Sequence, residues 1–253
     1  MVSIRIIPRL DIKGPNVIKG IHLEGLRKVG KPHDLSIKYY EGGADEILYM
    51  DVVASLYNRS NLSEIVSEAS KNVFIPLTVG GGVRTIDDFR KILRSGADKI
   101  SINTGAIKNP ELITQAANMF GSQCVVVSIE AIKTGDMKWE AFVDNGRDNT
   151  GLDVIEWAKQ AEQLGAGELI ITSVDVEGTK KGFDIELIKR ITDVTSIPVI
   201  ACGGAGSIEH IIECIEKTGC SAVAIASILH YNITSLQEIK QELKNKNIKV
   251  RNI

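Results

Sequence analysis

Residues 75–88 read Ile-Pro-Leu-Thr-Val-Gly-Gly-Gly-Val-Arg-Thr-Ile-Asp-Asp, and residues 197–210 read Ile-Pro-Val-Ile-Ala-Cys-Gly-Gly-Ala-Gly-Ser-Ile-Glu-His, the same pattern 122 positions on. Ala44-Asp-Glu-Ile returns at that offset as Ala166-Gly-Glu-Leu, and after one inserted residue Ile102-Asn-Thr returns as Ile225-Ala-Ser. An offset near half of the 253 residues marks a duplicated half, with the two units at about 1–122 and 123–253. Outward from the repeat, Val/Ile/Leu-rich runs lie at Ile4–Leu10, Glu46–Asp51, Phe74–Val79, Lys99–Asn103, Cys124–Ile129, Glu168–Thr172, Pro198–Ala201 and Ala222–Ser227. Such runs read as strands buried on both faces, and the amphipathic stretches between them, Ile86–Arg94 and Leu152–Gln163 among them, read as crossover helices. Thr85 with Asp88 three residues later resembles a capping box, and Asn109-Pro110 places proline in a first helical turn. Eight βα units in two equal halves close most simply into a (β/α)8 barrel, one α/β domain spanning 1–253; an open doubly wound sheet is the alternative.

Composition narrows the function classes. Thirty Lys and Arg against 32 Asp and Glu leave a formal charge of −2, which gives no global electrostatic reason to bind nucleic acid or an acidic membrane. No apolar run approaches the roughly 20 residues of a bilayer span. The start, Met1-Val2-Ser3-Ile4-Arg5, lacks the features of a signal peptide, and Cys124, Cys202, Cys214 and Cys220 form no CxxC pair, so a reducing cytoplasm is expected.

In a barrel of this kind chemistry gathers where the strands end. Gly80-Gly81-Gly82 follows the third run and Gly203-Gly204 the seventh, while Asn103-Thr104 and Ala226-Ser227 end the fourth and eighth. Glycines let backbone N–H groups approach an anion, and helices opening on small residues offer partial positive charge, so the repeat implies two equivalent phosphate sites. A ligand phosphorylated at both ends would lie across the mouth. Between the sites stand Asp11 and Glu130, each suited to general acid or base work or, alternatively, to structural pairing with Lys13 or Lys19. Asp51, Asp175 and Glu177 are secondary candidates. The four histidines, His22, His33, His210 and His230, show no metal-ligand spacing, and surface roles are expected of them. Cys202 aligns with Gly80 in the repeat and reads as a space-filler. Residues 134–143, around Trp139, alternate like a small hairpin, and Trp157 fits a buried helix face. At the other end Arg5, Glu46, Lys99 and Glu168 occupy strand starts, as a salt-bridge ring or a gate.

The segments Arg5-Ile-Ile-Pro-Arg-Leu-Asp-Ile-Lys, Pro76-Leu-Thr-Val-Gly-Gly-Gly-Val-Arg, Gly96-Ala-Asp-Lys-Ile, Phe120-Gly-Ser-Gln-Cys-Val-Val-Val, Thr172-Ser-Val-Asp with Glu177-Gly-Thr, and Cys202-Gly-Gly-Ala-Gly-Ser resemble the HisF family of cyclase subunits of imidazole glycerol phosphate synthase, over essentially the whole chain. The resemblance implies a cytoplasmic lyase of histidine biosynthesis. Ammonia from a HisH-like glutaminase subunit passes through the barrel and joins a bisphosphorylated ribulosyl aminoimidazole carboxamide nucleotide, PRFAR, to give imidazole glycerol phosphate and AICAR. It implies Asp11 and Glu130 as the acid/base pair; Gly81, Gly82, Asn103 and Thr104 at one phosphate; and Glu177, Gly178, Gly203, Gly204, Ala226 and Ser227 at the other. Lys19 would sit in a mobile first βα loop that closes over substrate. Arg5, Glu46, Lys99 and Glu168 would form the ammonia gate, with Asp98 at the glutaminase interface. No metal, other cofactor, nucleic acid or membrane partner is implied.

Three departures from the family pattern stand out. Glu130 and Glu177 occupy positions where the family has Asp, and a displaced carboxylate can cost on the order of a hundredfold in a positioned reaction. Arg9 replaces a small or apolar residue near the barrel interior. Pro8-Arg-Leu-Asp-Ile-Lys-Gly-Pro, Leu48-Tyr-Met-Asp-Val-Val-Ala-Ser-Leu-Tyr and Ser128-Ile-Glu look like a paralogous group that uses the ammonia to convert a nucleotide sugar's acetamido group to acetamidino in surface-polysaccharide pathways. The two readings share ammonia channelling and differ in the acceptor.

Overall fold

A computed structural model of the chain describes residues 3–54 and 62–252. Met1, Val2 and Ile253 lie outside the described residues, as do Ser55, Leu56 and Tyr57 of the paralogue-like motif. The described strands are β1 (Arg5–Lys13), β2 (Asn16–Ile21), β3 (Glu24–Gly30), β4 (Ile47–Asp51), β5 (Leu77–Gly80), β6 (Lys99–Ile102), β7 (Val125–Gly135), β8 (Lys138–Val143), β9 (Asp148–Asp153), β10 (Glu168–Ser173), β11 (Val199–Cys202) and β12 (Ala222–Ile225). Eight of them form a closed parallel ring in the order β10-β11-β12-β1-β4-β5-β6-β7, with β7 pairing back onto β10. This is the (β/α)8 barrel expected from the repeat, and the closure excludes the open sheet.

The barrel strands bury both faces, as their sequences require. On β1, Ile6 joins the large cluster between barrel and helices, while Ile7 points into the barrel with Leu48, Val126, Ile170, Ile200 and Ala224. Outside the ring lie α1 (Pro32–Glu41), α2 (Leu62–Ala69), α3 (Ile86–Arg94), α4 (Thr104–Lys108), α5 (Glu111–Phe120), α6 (Val154–Gln163), α7 (Ile185–Val194), α8 (Ile208–Thr218), α9 (Ser227–His230) and α10 (Leu236–Asn245). Thr85 makes the capping box at α3, its hydroxyl accepting from the Asp88 N–H at 3.2 Å. Its repeat partner Ser207 caps α8 the same way, accepting from the His210 N–H at 3.4 Å. Duplication therefore extends to the helix starts. Trp157 is buried on α6 as expected.

Two hairpins depart from a plain alternation of strands and helices. β1 runs on past Leu10 because Asp11, Ile12 and Lys13 pair antiparallel with β2, and β2 pairs in turn with β3. The first βα segment is thus a β-hairpin rather than an irregular loop. β7 likewise continues to Gly135 and pairs with β8, which pairs with β9, confirming the hairpin around Trp139. Trp139 is buried and its indole N–H donates to Asp184 Oδ2 at 3.0 Å.

At the bottom, Asp45 ties the end of the chain to the barrel. Its Oδ2 accepts the Ile6 N–H at 2.8 Å, and its Oδ1 accepts from buried Lys240 at 2.7 Å and from Arg251 at 3.1 Å. No helix among the described residues is long and apolar enough to cross a membrane.

Candidate active site

The glycine-rich strand ends have matching backbone conformations in the two halves. Gly81 and Gly203, equivalent in the repeat, have φ +111° and +92°, and their neighbours Gly82 and Gly204 have +72° and +98°. Positive φ excludes most side chains, and a Cβ on Gly81 would also meet Asp51 O at 2.3 Å. The chain therefore turns sharply off β5 and off β11. Among the described residues, the N–H groups of Gly82 and Gly204 donate to no backbone carbonyl and no side chain. One cleft brings Gly81, Gly82, Asn103 and Thr104 together with Glu130. In the other half Ala226 precedes α9, with Ser227 buried at its first turn.

Between these ends lies a buried group of charges. Asp11 is 4% exposed; its Oδ1 accepts from Arg9 Nε at 2.8 Å, and Lys19 Nζ stands 3.7 Å from its Oδ2. Burial alone would raise the Asp11 pKa, but Arg9 and Lys19 outweigh it and hold the carboxyl below the usual carboxylate range. Glu130 goes the other way. Burial pushes its pKa up to about 7, against the opposing pull of Arg9 and of the Gly146 N–H, with Asp11 and Asp144 adding repulsion. Its Oε2 accepts from Asn103 Nδ2 at 3.0 Å and from the Gly146 N–H at 2.8 Å. Two carboxyl groups facing one mouth thus differ in protonation, one fixed as the anion and one able to carry a proton near neutral pH.

Lys19 and Glu177 are joined by a buried ion pair. Lys19 comes from β2 and Glu177 from the segment after β10, so the pair ties the β2–β3 hairpin across the mouth. Further ties reinforce it. The Leu23 N–H donates to Glu177 Oε2 at 3.3 Å, His22 Nδ1 to Val174 O at 2.8 Å, and Asn145 Nδ2 to Leu23 O at 3.2 Å. Both Glu177 oxygens are engaged by the hairpin. Gly178 lies against the hairpin as well, where a Cβ would meet Gly20 O at 2.4 Å. Asn103 likewise turns its side-chain amide to Glu130 and Phe142 O, and Thr104 Oγ1 accepts from the Asp144 N–H. Of the secondary carboxylates, Asp51 accepts from the Val53 N–H at 3.1 Å and Asp175 from the Lys133 N–H at 2.8 Å.

At the opposite end the four charged strand starts form a closed ring. Glu46 Oε2 accepts from Arg5 and from Lys99, both at 2.8 Å, Lys99 also reaches Glu168 at 2.9 Å, and Arg5 and Glu168 complete the circuit. The interior apolar cluster lies between this ring and the mouth. Asp98, exposed near the ring, accepts the Leu77 N–H at 2.8 Å.

Two contributors carry no mark in the sequence. His230 is not a surface residue: it is buried, its Nε2–H donates to Arg9 O at 3.1 Å, and its Nδ1 accepts from Tyr39 OH at 2.6 Å. Burial pushes its pKa down to about 4, so it stays neutral as a backbone support. The other is Gly146, on the turn between β8 and β9, whose N–H reaches Glu130 only because the second hairpin folds over the mouth. Cys202 is buried and its Sγ lies 3.3 Å from Arg9 Nη1. Among the described residues no group of three or more His, Cys, Asp or Glu is arranged to hold a metal ion.

Comparison with known proteins shows the family. Residues 5–235 match a family described as "Histidine biosynthesis protein". A protein of Legionella pneumophila named imidazole glycerol phosphate synthase subunit HisF is 60% identical over 210 residues, covering 83% of this chain and 99% of its own length. Proteins of the same name from Lactococcus lactis subsp. lactis and Bacillus cereus are 48% and 45% identical, over 99% of this chain and 97% and 100% of their own lengths.

Proposed function

Since the chain belongs to the HisF family of histidine-biosynthesis proteins, we propose that it is the cyclase subunit of an imidazole glycerol phosphate synthase, taking ammonia from a HisH-like glutaminase and joining it to PRFAR to give imidazole glycerol phosphate and AICAR. The observation that carries this reading is the pair of glycine-turned strand ends flanking two buried carboxyl groups, Asp11 held low by Arg9 and Lys19 and Glu130 pushed up by burial. A bisphosphate spanning the mouth brings its reacting carbonyl between Asp11 and Glu130. As the ammonia nitrogen bonds to the carbonyl carbon, the C=O π pair moves to oxygen; Asp11 accepts an N–H proton and Glu130 delivers its proton to that oxygen. In the dehydration that follows, Asp11 returns its proton to the leaving water and Glu130 takes one from nitrogen, so both groups end as they began. The hairpin tied by Lys19 and Glu177 excludes bulk water meanwhile. The glutaminase would dock on the bottom face, around Asp98, with the Arg5, Glu46, Lys99 and Glu168 ring as the ammonia entrance.

Steady-state turnover with PRFAR and an ammonium salt tests the reading. Release of AICAR is expected, and no turnover by a chain that still binds its glutaminase would overturn it. A second reading, amidination of an acetamido nucleotide sugar, is favoured by Arg9, whose guanidinium stands beside Asp11. An amide carbonyl is a poorer electrophile than a ketone and gains more from an added positive group.

A further inference from the structure

Arg9 is a buried arginine inside the barrel, and holding Asp11 as the anion engages only its Nε. Side chains of β1 alternate in direction, so Arg9 points inward with Ile7 beneath it and Asp11 above. Its guanidinium crosses the lumen. Nη1 donates to Thr172 Oγ1 at 3.2 Å on β10, three strands round the ring of eight from β1, and approaches Cys202 Sγ at 3.3 Å on β11. Nε donates to Asp11. The guanidinium is a planar fork, and Nη2 shares with Nε the edge that faces Asp11. Nη2 donates to no described residue. A fixed positive group with an unengaged Nη2 therefore lies in the lumen beneath Asp11, beside the Cys202 that precedes the glycine turn of β11.

We propose that Arg9 is a catalytic residue whose Nη2 hydrogen-bonds the acceptor's carbonyl oxygen and stabilises the negative charge it gains when ammonia adds. This rests on the carbonyl-addition reading above and holds for a ketone or an amide. The C=O π pair moves to oxygen against the guanidinium, the new C–N bond forms from the ammonia lone pair, and Arg9 itself keeps all its protons. Thr172 and His230 act as positioning residues, one holding Nη1 and the other the Arg9 carbonyl. The apolar cluster packed in the lumen below, with Ile7, Leu48, Ile170 and Ile200, leaves the guanidinium little water to compete with the substrate oxygen.

The test is turnover with ammonium chloride as donor, which bypasses the glutaminase, for wild type, Arg9→Lys and Arg9→Ala. Each is given PRFAR and, separately, an acetamido nucleotide sugar. On the acceptor that the wild type uses, Arg9→Ala is expected to lower kcat by about 10²–10³-fold, as for loss of one oxyanion donor. KM should stay within about threefold, and Arg9→Lys should keep an intermediate rate. Methylguanidinium should restore part of the Arg9→Ala rate, and methylammonium at equal ionic strength should not. A kcat within about fivefold of wild type in Arg9→Ala overturns the proposal. So does a loss that methylguanidinium leaves unchanged in protein whose circular dichroism is native. A wild type that turns over neither acceptor overturns the functional reading and this inference with it, whereas a failure seen only in the variants' behaviour overturns this inference alone.

Discussion

Glu130 concentrates the pH behaviour of the site. Its folded pKa is raised to about 7, so its protonated form is the one that folding favours. The stability it contributes is complete below the ordinary carboxylate range and is lost as pH rises through about 7. Glu130→Gln keeps an acceptor for the Asn103 and Gly146 donors and removes the charge. It should therefore raise stability at pH 8 by on the order of 3 kcal/mol, with little difference at pH 4.5, as thermal unfolding at the two values would show. The same substitution should reduce turnover by about 10²–10⁴-fold. In the wild type the rate should fall on an alkaline limb near pH 7, the sign expected of a group that works protonated. Asp11 and Glu130 were legible as strand-end carboxylates. Their division of labour was not, because it depends on Arg9 and Lys19 at one and on burial and the Gly146 N–H at the other.

The β2–β3 hairpin is the element that turns an open barrel end into an enclosed site. Beyond its ladder with the end of β1, its hold across the mouth is the buried Lys19–Glu177 pair, the approach of Lys19 to Asp11, and a few hydrogen bonds to the segment after β10 and to Asn145. Breaking a buried pair from one side leaves a charge without compensation, at about 3–5 kcal/mol. Lys19→Met should thus free the hairpin: amide exchange at Val17 and Ile18 should quicken by about a hundredfold while Val126 and Ile170 exchange as before. The KM for the phosphorylated substrate should rise as well. Equal exchange in both proteins would show that the hairpin is held by its own ladder. The sequence names Lys19 as a loop residue through its family resemblance. It does not reveal the strands, since residues 16–30 alternate weakly and the β2–β3 ladder carries register shifts at Val17/Ile18 and Lys19/Ile21.

At the scale of the molecule, eight apolar runs and a repeat at an offset of 122 residues pointed to a barrel while leaving an open sheet as the alternative, and the pairing of β7 with β10 decides for closure, each half supplying four consecutive barrel strands. What the repeat could not supply is the fastening of the chain's end. Asp45 with Lys240 and Arg251 has no counterpart in the repeat, where position 167 is glycine. Asp45→Ala should lower stability by about 3–5 kcal/mol by leaving Lys240 buried without its partner. Replacing both, Asp45→Leu with Lys240→Met, should recover most of the loss in a denaturant titration. The seam beside this fastening joins the first strand to the last: Arg5 pairs with Ala222 and Pro8 with Ile225. During synthesis one edge of β1 therefore waits, unpaired and rich in isoleucine, until β12 has left the ribosome. Closure is the slowest contact the topology allows, and the yield of soluble protein in a cell should depend on the chaperones that shield that edge in the interval.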